Sequence, residues 1–244
     1  MKFPRLAAAL PVLRSLRVAG ALAVALVAPA SQLAVEPTNL DAAKREVYRY
    51  INSGEYHKDL GAVALKATKY LAKRLNKPAK PGEKLAVVFD IDETTLSNLP
   101  HMMANDFGYV APVWHRYIAS AQAKAIVPVQ VVYDMAIRGG VAVFFITARK
   151  ESERAGTERN LREVGYETWN GIYFMDDAAP STDSDSGIVF KAPAPTRLFK
   201  TRIRKQLTEE GYTIILNIGD QESDLAGGYA KKTFKLPNPI YKVY

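Results

Sequence analysis

Three short apolar runs, each rich in β-branched residues and each ending in polar ones, constrain this chain most: LAVVFDIDE from Leu85, VAVFFITAR from Val141 and TIILNIGDQ from Thr213. Hydrophobic residues fill successive positions rather than alternate ones, which implies burial on both faces, the condition of a strand inside a parallel sheet. Amphipathic stretches at 129–138, 152–164 and 201–210 separate them and read as helices. Strand, helix, strand in that order requires right-handed crossovers, so the expected fold is α/β with a doubly wound, Rossmann-like parallel sheet. A weaker strand is expected at GIYFMDD from Gly171, and a last one at KTFKLPN from Lys232.

Before the first strand, 40–75 carries apolar residues at helical spacing (Val47, Tyr50, Ile51, then Val63, Leu65, Tyr70, Leu71) and reads as two helices broken near Gly54. The Pro/Gly/Lys segment KPAKPGEK at 77–84 ends them. Two stretches interrupt the alternation. Residues 99–127, rich in Met, Tyr and Trp, read as a small helical cap inserted after the first strand, and 177–196 reads as a solvent loop.

Residues 1–30 differ in composition from the rest. Lys2, Arg5, Arg14 and Arg17 precede an uncharged apolar run at 18–27, and Ala28, Pro29 and Ala30 follow. That pattern predicts a secretory signal peptide cleaved after an Ala-x-Ala site, because the run is about half the ~20 apolar residues of a spanning helix. The expected division is therefore a leader at 1–30 and one domain at 31–244, exported to the periplasm or secreted. Cysteine is absent, which excludes disulfides, thiolate metal sites and a lipid-modified cysteine anchor. The formal net charge is +8, but the four leader cations contribute half of it, and no basic run or nucleic-acid motif marks the remainder. A small anionic substrate is the expected partner, with no specific nucleic acid, no stable membrane anchor once the leader is gone, and no indication of oligomeric state.

Ligands of an open parallel sheet gather beyond the carboxyl ends of its strands. The first run ends in Asp90, Ile91, Asp92, Glu93 and Thr94, the second in Thr147, Ala148 and Arg149, and the third in Gly219, Asp220, Gln221, Glu222, Ser223 and Asp224. Carboxylates crowded at one edge repel each other unless a cation lies among them. Hard oxygen ligands of this kind suit Mg2+, held by one or two carboxylates and by substrate phosphate oxygens. The chemistry this predicts is phosphoryl transfer. Asp90 attacks phosphorus, splitting one difficult displacement into two, and Asp92 serves as the general acid and then the base. Thr147 offers its hydroxyl to a phosphoryl oxygen. Lys200, placed just ahead of the third helix, neutralises developing charge, with Lys191 as the alternative. Arg149 either reaches the substrate phosphate or is an ordinary exposed arginine. Tyr109, Trp114 and Tyr117 in the cap either stack on a nucleobase or aryl group or pack within the cap. His57, His101 and His115 have no metal-ligand spacing; the last two fall near the expected substrate pocket.

FDIDETTLSN from Phe89, FFITAR from Phe144, Lys200 and IGDQESDLAGG from Ile218 resemble the four motifs of the haloacid dehalogenase superfamily. Within it the chain is similar to the subfamily IIIB acid phosphatases, which include bacterial class B and class C-like enzymes and plant vegetative storage proteins. The similarity extends to Thr157, Asn160, Leu161, Gly165 and Tyr166 and to the ending FKLPNPIY from Phe234. It implies that Asp90 is nucleophile and metal ligand, and that Asp92 is acid/base with its backbone carbonyl on the metal. It also implies that Asp220 is the third protein ligand, and that Asp224 holds a metal-bound water or orients Lys200. Class C enzymes are typically lipoproteins, from which this cysteine-free chain departs. Three functions share these residues: hydrolysis of small phosphomonoesters, nucleotides among them; phosphotransfer to an alcohol; and storage or ligand binding on the same fold. Retention of Asp90 favours an enzyme.

Overall fold

A computed structural model describes residues 37–77, 80–178 and 195–243. The expected leader at 1–30, Lys191 and most of the 177–196 loop lie outside the described residues. In chain order the elements are α1 (Leu40–Asn52), α2 (Glu55–Leu75), β1 (Lys84–Phe89), β2 (Leu96–Ser97), α3 (Leu99–Ala104), α4 (Ala111–Ser120), β3 (Lys124–Ala125), α5 (Val127–Arg138), β4 (Ala142–Lys150), α6 (Arg154–Glu163), β5 (Gly171–Met175), α7 (Pro195–Glu209), β6 (Tyr212–Gly219), α8 (Glu222–Leu225) and β7 (Thr233–Lys235). The expected break between the first two helices falls at Gly54, whose φ of +80° suits a residue without Cβ.

The main sheet has the order β5-β4-β1-β6-β7, and all its pairings are parallel. The unbroken apolar runs are explained by what covers the two faces. Val87 and Phe89 of β1 enter the larger core with residues of α2 and α5, while Ala86 and Val88 pack with Ile203 and Leu207 of α7. Phe89 stands level with Phe145 of β4 on one side and Ile218 of β6 on the other. The chain after β1 and after β6 therefore leaves the sheet side by side at its carboxyl edge, while β4 runs on to Lys150 beside β5, and β1, the central strand, adjoins the point where the winding reverses.

The cap is α3 and α4, closed at its base by the antiparallel pair β2 and β3, in which Leu96 faces Ala125 and Ser97 faces Lys124. The insertion thus leaves and re-enters the sheet layer at one place. Asn160 of α6 holds it there, accepting from Ala123 N at 3.0 Å and donating to Ala123 O at 2.8 Å. Helix α7 corrects one expectation: it starts at Pro195 rather than at 201, so Lys200 lies inside the helix and not ahead of it. Proline is favoured in a first turn, where its missing N–H costs nothing. Thr196, Lys200, Ile203, Arg204 and Leu207 then form one buried face at spacings of three and four; two cations on that face hide its periodicity from a reading of apolar residues alone. Among the described residues no helix is long and apolar enough to cross a membrane.

Candidate active site

Asp90 and Asp220 follow β1 and β6, which are neighbours, so two carboxylates separated by most of the chain emerge side by side. Asp224 joins them from α8, one turn beyond Asp220. Close approach is possible because residue 219 is glycine: a Cβ there would lie 2.4 Å from the Asp224 side chain. Arg204, fully buried, fixes the loop from behind by donating to the carbonyls of Asp224 at 2.5 Å, Gly228 at 3.1 Å and Ala226. Burial pulls this guanidinium down to about 10.

Lys200 reaches the cluster from α7, with Nζ 2.5 Å from Asp90 Oδ1 and 2.6 Å from Asp224 Oδ1. Burial opposes its charge, but Asp224 and Asp90 outweigh that effect and raise its pKa, so it remains an ammonium. One cation does not balance three carboxylates. Asp90 and Asp220 are 5% and 2% exposed. Burial raises Asp90 well above the usual range, opposed by Lys200 and reinforced by Asp224 and Asp220. Burial, with Asp224 next, pushes Asp220 up to about 7. Each of Asp90, Asp220 and Asp224 offers a ligand atom within 4.8 Å of the others. Ionised, they leave a buried charge of minus two after Lys200 is counted. An all-oxygen donor set with that deficit fits a hard divalent cation.

Asp92 stands apart from this group. Its carboxylate accepts Arg149 Nη2 at 2.7 Å, Arg149 Nε at 3.1 Å and Asn98 Nδ2 at 2.8 Å, and its side chain is outside the three-carboxylate cluster. Arg149 is only 3% exposed, which overturns the exposed-arginine reading. Its guanidinium binds Asp92 and Thr157 Oγ1 in this structure, although the residue still borders the cavity. Thr147 is buried, and its hydroxyl accepts Arg149 N at 3.1 Å; it shapes the strand end beneath the cavity and is not among the lining residues.

The cavity has a volume of 640 Å³, with Asp90, Asp92, Lys200, Asp220 and Asp224 at its floor and Met102, Phe107, Tyr109 and Trp114 on the cap side. Tyr117 does not line it. That ring stacks on His101 at 4.0 Å and packs against the core, so the packing reading holds for Tyr117, whereas Trp114 faces the cavity. His115 does border it and bonds Glu153 at 2.9 Å, while His57 is exposed beside Tyr56.

Sequence reasoning assigned no role to Glu93, Gln221, Asn238 or Tyr241. Glu93 is buried with a φ of +52°, and it accepts from Asn98 N at 2.6 Å, Asn98 Nδ2 at 3.0 Å and Tyr241 Oη at 3.1 Å. A glutamate has no local reason to take left-handed backbone, so nothing in its neighbours along the chain announces this part. Asn238 and Tyr241 lie in the ending FKLPNPIY, whose pattern was visible without its purpose.

The family model for the HAD superfamily, subfamily IIIB (acid phosphatase), matches residues 14–244. The chain is 31% identical over 199 residues to the stem 28 kDa glycoprotein of Glycine max, covering 80% of this chain and 72% of that one. It is 30% identical over 162 residues to acid phosphatase 1 of Solanum lycopersicum, covering 64% and 58% respectively. The fold is similar to that of the class C acid phosphatase from Bacillus anthracis, with a TM-score of 0.61 at 23% identity, covering 82% of this chain and 86% of that one. Motifs, sheet topology and family model agree: the chain belongs to subfamily IIIB of the HAD superfamily, the acid phosphatases, and is a phosphomonoesterase.

Proposed function

We propose that this phosphomonoesterase is an exported, magnesium-dependent acid phosphatase that hydrolyses small phosphomonoesters, nucleotides among them, through a phosphorylated Asp90. The observation that carries the reading is the Lys200 ammonium shared between Asp90 and Asp224 beside Asp220 at the floor of the cavity. Lys200 occupies Asp90 Oδ1, and the other carboxylate oxygen accepts no hydrogen bond among the described residues. That oxygen is the nucleophile.

In the first step the free oxygen of Asp90 forms a bond to phosphorus as the ester P–O bond breaks. Asp92 gives its proton to the departing alkoxide, which leaves as an alcohol. In the second step water attacks phosphorus, Asp92 recovers a proton from it, and the Asp90–phosphorus bond breaks to release inorganic phosphate. Asp92 must exchange Arg149 and Asn98 for the leaving oxygen, so Arg149 sets its resting position. Asp90 and Asp220 would hold the magnesium ion directly, with the Asp92 carbonyl and with Asp224 through water. The ion supplies charge neutralisation among the carboxylates and on the phosphoryl oxygens. Lys200 provides the same electrostatic service from the protein side.

Cleavage of the 1–30 leader would deliver the enzyme outside the cytoplasm. N-terminal sequencing of the exported protein, finding a start near residue 31, checks that part. For the chemistry, a chelator should silence hydrolysis of a chromogenic phosphomonoester until magnesium returns, and brief acid quenching with labelled substrate should trap phosphate on Asp90. Full activity in the chelator overturns the metal dependence, and absence of a trapped phosphoenzyme together with an active Asp90→Asn variant overturns the nucleophile.

A further inference from the structure

After β7 the chain turns back across the mouth of the site. Asn238 donates from Nδ2 to Asp220 Oδ2 at 2.7 Å, while its own Oδ1 accepts from Ile240 N at 2.8 Å and Tyr241 N at 3.3 Å. Gln221 donates from Nε2 to the same Asp220 oxygen at 2.6 Å and accepts from Val243 N at 2.9 Å. Two amide donors fill the lone pairs of Oδ2. Among the described residues the other oxygen, Oδ1, accepts only from the Thr94 hydroxyl, at 3.2 Å. Tyr241 completes the closure by donating to Glu93, the residue after Asp92.

We propose that Asn238 is a positioning residue for the metal ligand Asp220: its amide, paired with that of Gln221, holds Oδ2 in the segment after β7 and so presents Oδ1 to the cation. This rests on the magnesium reading above. A side chain that donates to the far oxygen of a ligating carboxylate fixes its orientation before the ion arrives, and loss of such a partner typically costs about 10- to 100-fold in metal affinity. Asn238 then acts from behind the ligand, in a segment whose Tyr241, Lys242 and Val243 border the cavity. The Asn238 turn explains how a short, irregular stretch holds its geometry: the same side chain that donates to Asp220 accepts two backbone amides of its own loop.

Asn238→Ser separates the two tasks, since a serine hydroxyl can still accept from the loop amides but is too short to reach Asp220. The full chain, stripped of metal, is titrated with magnesium chloride and no substrate, following the thermal midpoint; activity is then measured against magnesium concentration. The expected result is a magnesium midpoint raised about tenfold or more in both series, near-normal kcat at saturating magnesium, and a metal-free melting temperature close to that of the wild type. Gln221→Leu, which removes the second donor to the same oxygen, should shift the midpoint in the same direction and serves if Asn238→Ser does not fold. Midpoints within twofold of the wild type, or a lowered metal-free melting temperature with an unchanged midpoint, overturn the positioning role. A wild type that magnesium does not stabilise overturns the metal reading itself, and this inference with it.

Discussion

At the residue scale, the site is organised by one buried ammonium among too many carboxylates. Lys200→Met leaves Asp90 and Asp224 without their shared donor, and breaking a buried ion pair from one side typically costs about 3–5 kcal/mol. The expected outcome is a loss of turnover of at least about 100-fold and a lower melting temperature, which chromogenic assay and calorimetry measure. Asp90→Asn differs: it removes the nucleophile and one of the repelling charges together, so turnover should vanish while the metal-free protein melts no lower than the wild type. The raised pKa values of Asp90 and Asp220 give a pH signature with a definite sign. A carboxyl whose folded pKa lies above its unfolded value of 3.8 stabilises the fold below that value, and the contribution is lost as pH rises through about 7, the folded value of Asp220. In chelator, the contribution of this cluster should therefore decline between those limits, while magnesium, which competes with the protons, restores it. The gap between melting temperatures with magnesium and with chelator should widen as pH increases; a gap constant with pH would contradict the cation binding at these carboxylates.

At the element scale, the cap depends on a close approach that a residue without a side chain permits. Gly156 of α6 lies under α4, where an added Cβ would stand 2.6 Å from Ile118 O. Gly156→Ala should push the cap off the sheet layer and cost about 1–3 kcal/mol as an overpacked contact; a thermal melt checks the cost. Trp114 borders the cavity from α4. If it stacks on bases or aryl groups, Trp114→Ala should weaken KM for nucleoside monophosphates and leave sugar phosphates unchanged; equal effects on both series, or none on either, exclude that role. Helix α7, which starts six residues before its expected position, shows why an element can be read too short. Lys200 and Arg204 occupy its buried face because each has carboxylate or carbonyl partners waiting there, and hydrophobic periodicity does not register a polar residue that is buried for its partners.

At the scale of the whole molecule, the doubly wound order β5-β4-β1-β6-β7 turns four separate stretches of sequence into one site. Local pattern sufficed for much of this. Unbroken β-branched runs specified buried parallel strands, their polar endings located the ligand edge, and the inserted segment at 99–127 was recognisable as a cap, because strand and helix preferences act over a few residues and leave their period in the sequence. Asp90, Asp92, Asp220 and Lys200 were therefore identifiable as candidates from the chain alone. What a given polar side chain meets across the fold is a different matter, since partners such as Arg149 and Asp92 are 57 positions apart and Asn238 and Asp220 are brought together only by the turn after β7. The left-handed backbone of Glu93, the burial of Arg149 and the placing of Trp114, but not of the Tyr117 ring packed against it, at the cavity were likewise settled by packing. The sequence by itself determined the strands, their order along the chain and the acids at their ends, whereas the tertiary structure alone decided which of those acids cluster within reach of one another and which is held by an arginine. Hydrogen bonds and charge interactions depend on distances of a few ångström between groups far apart in sequence, and only the folded chain sets those distances.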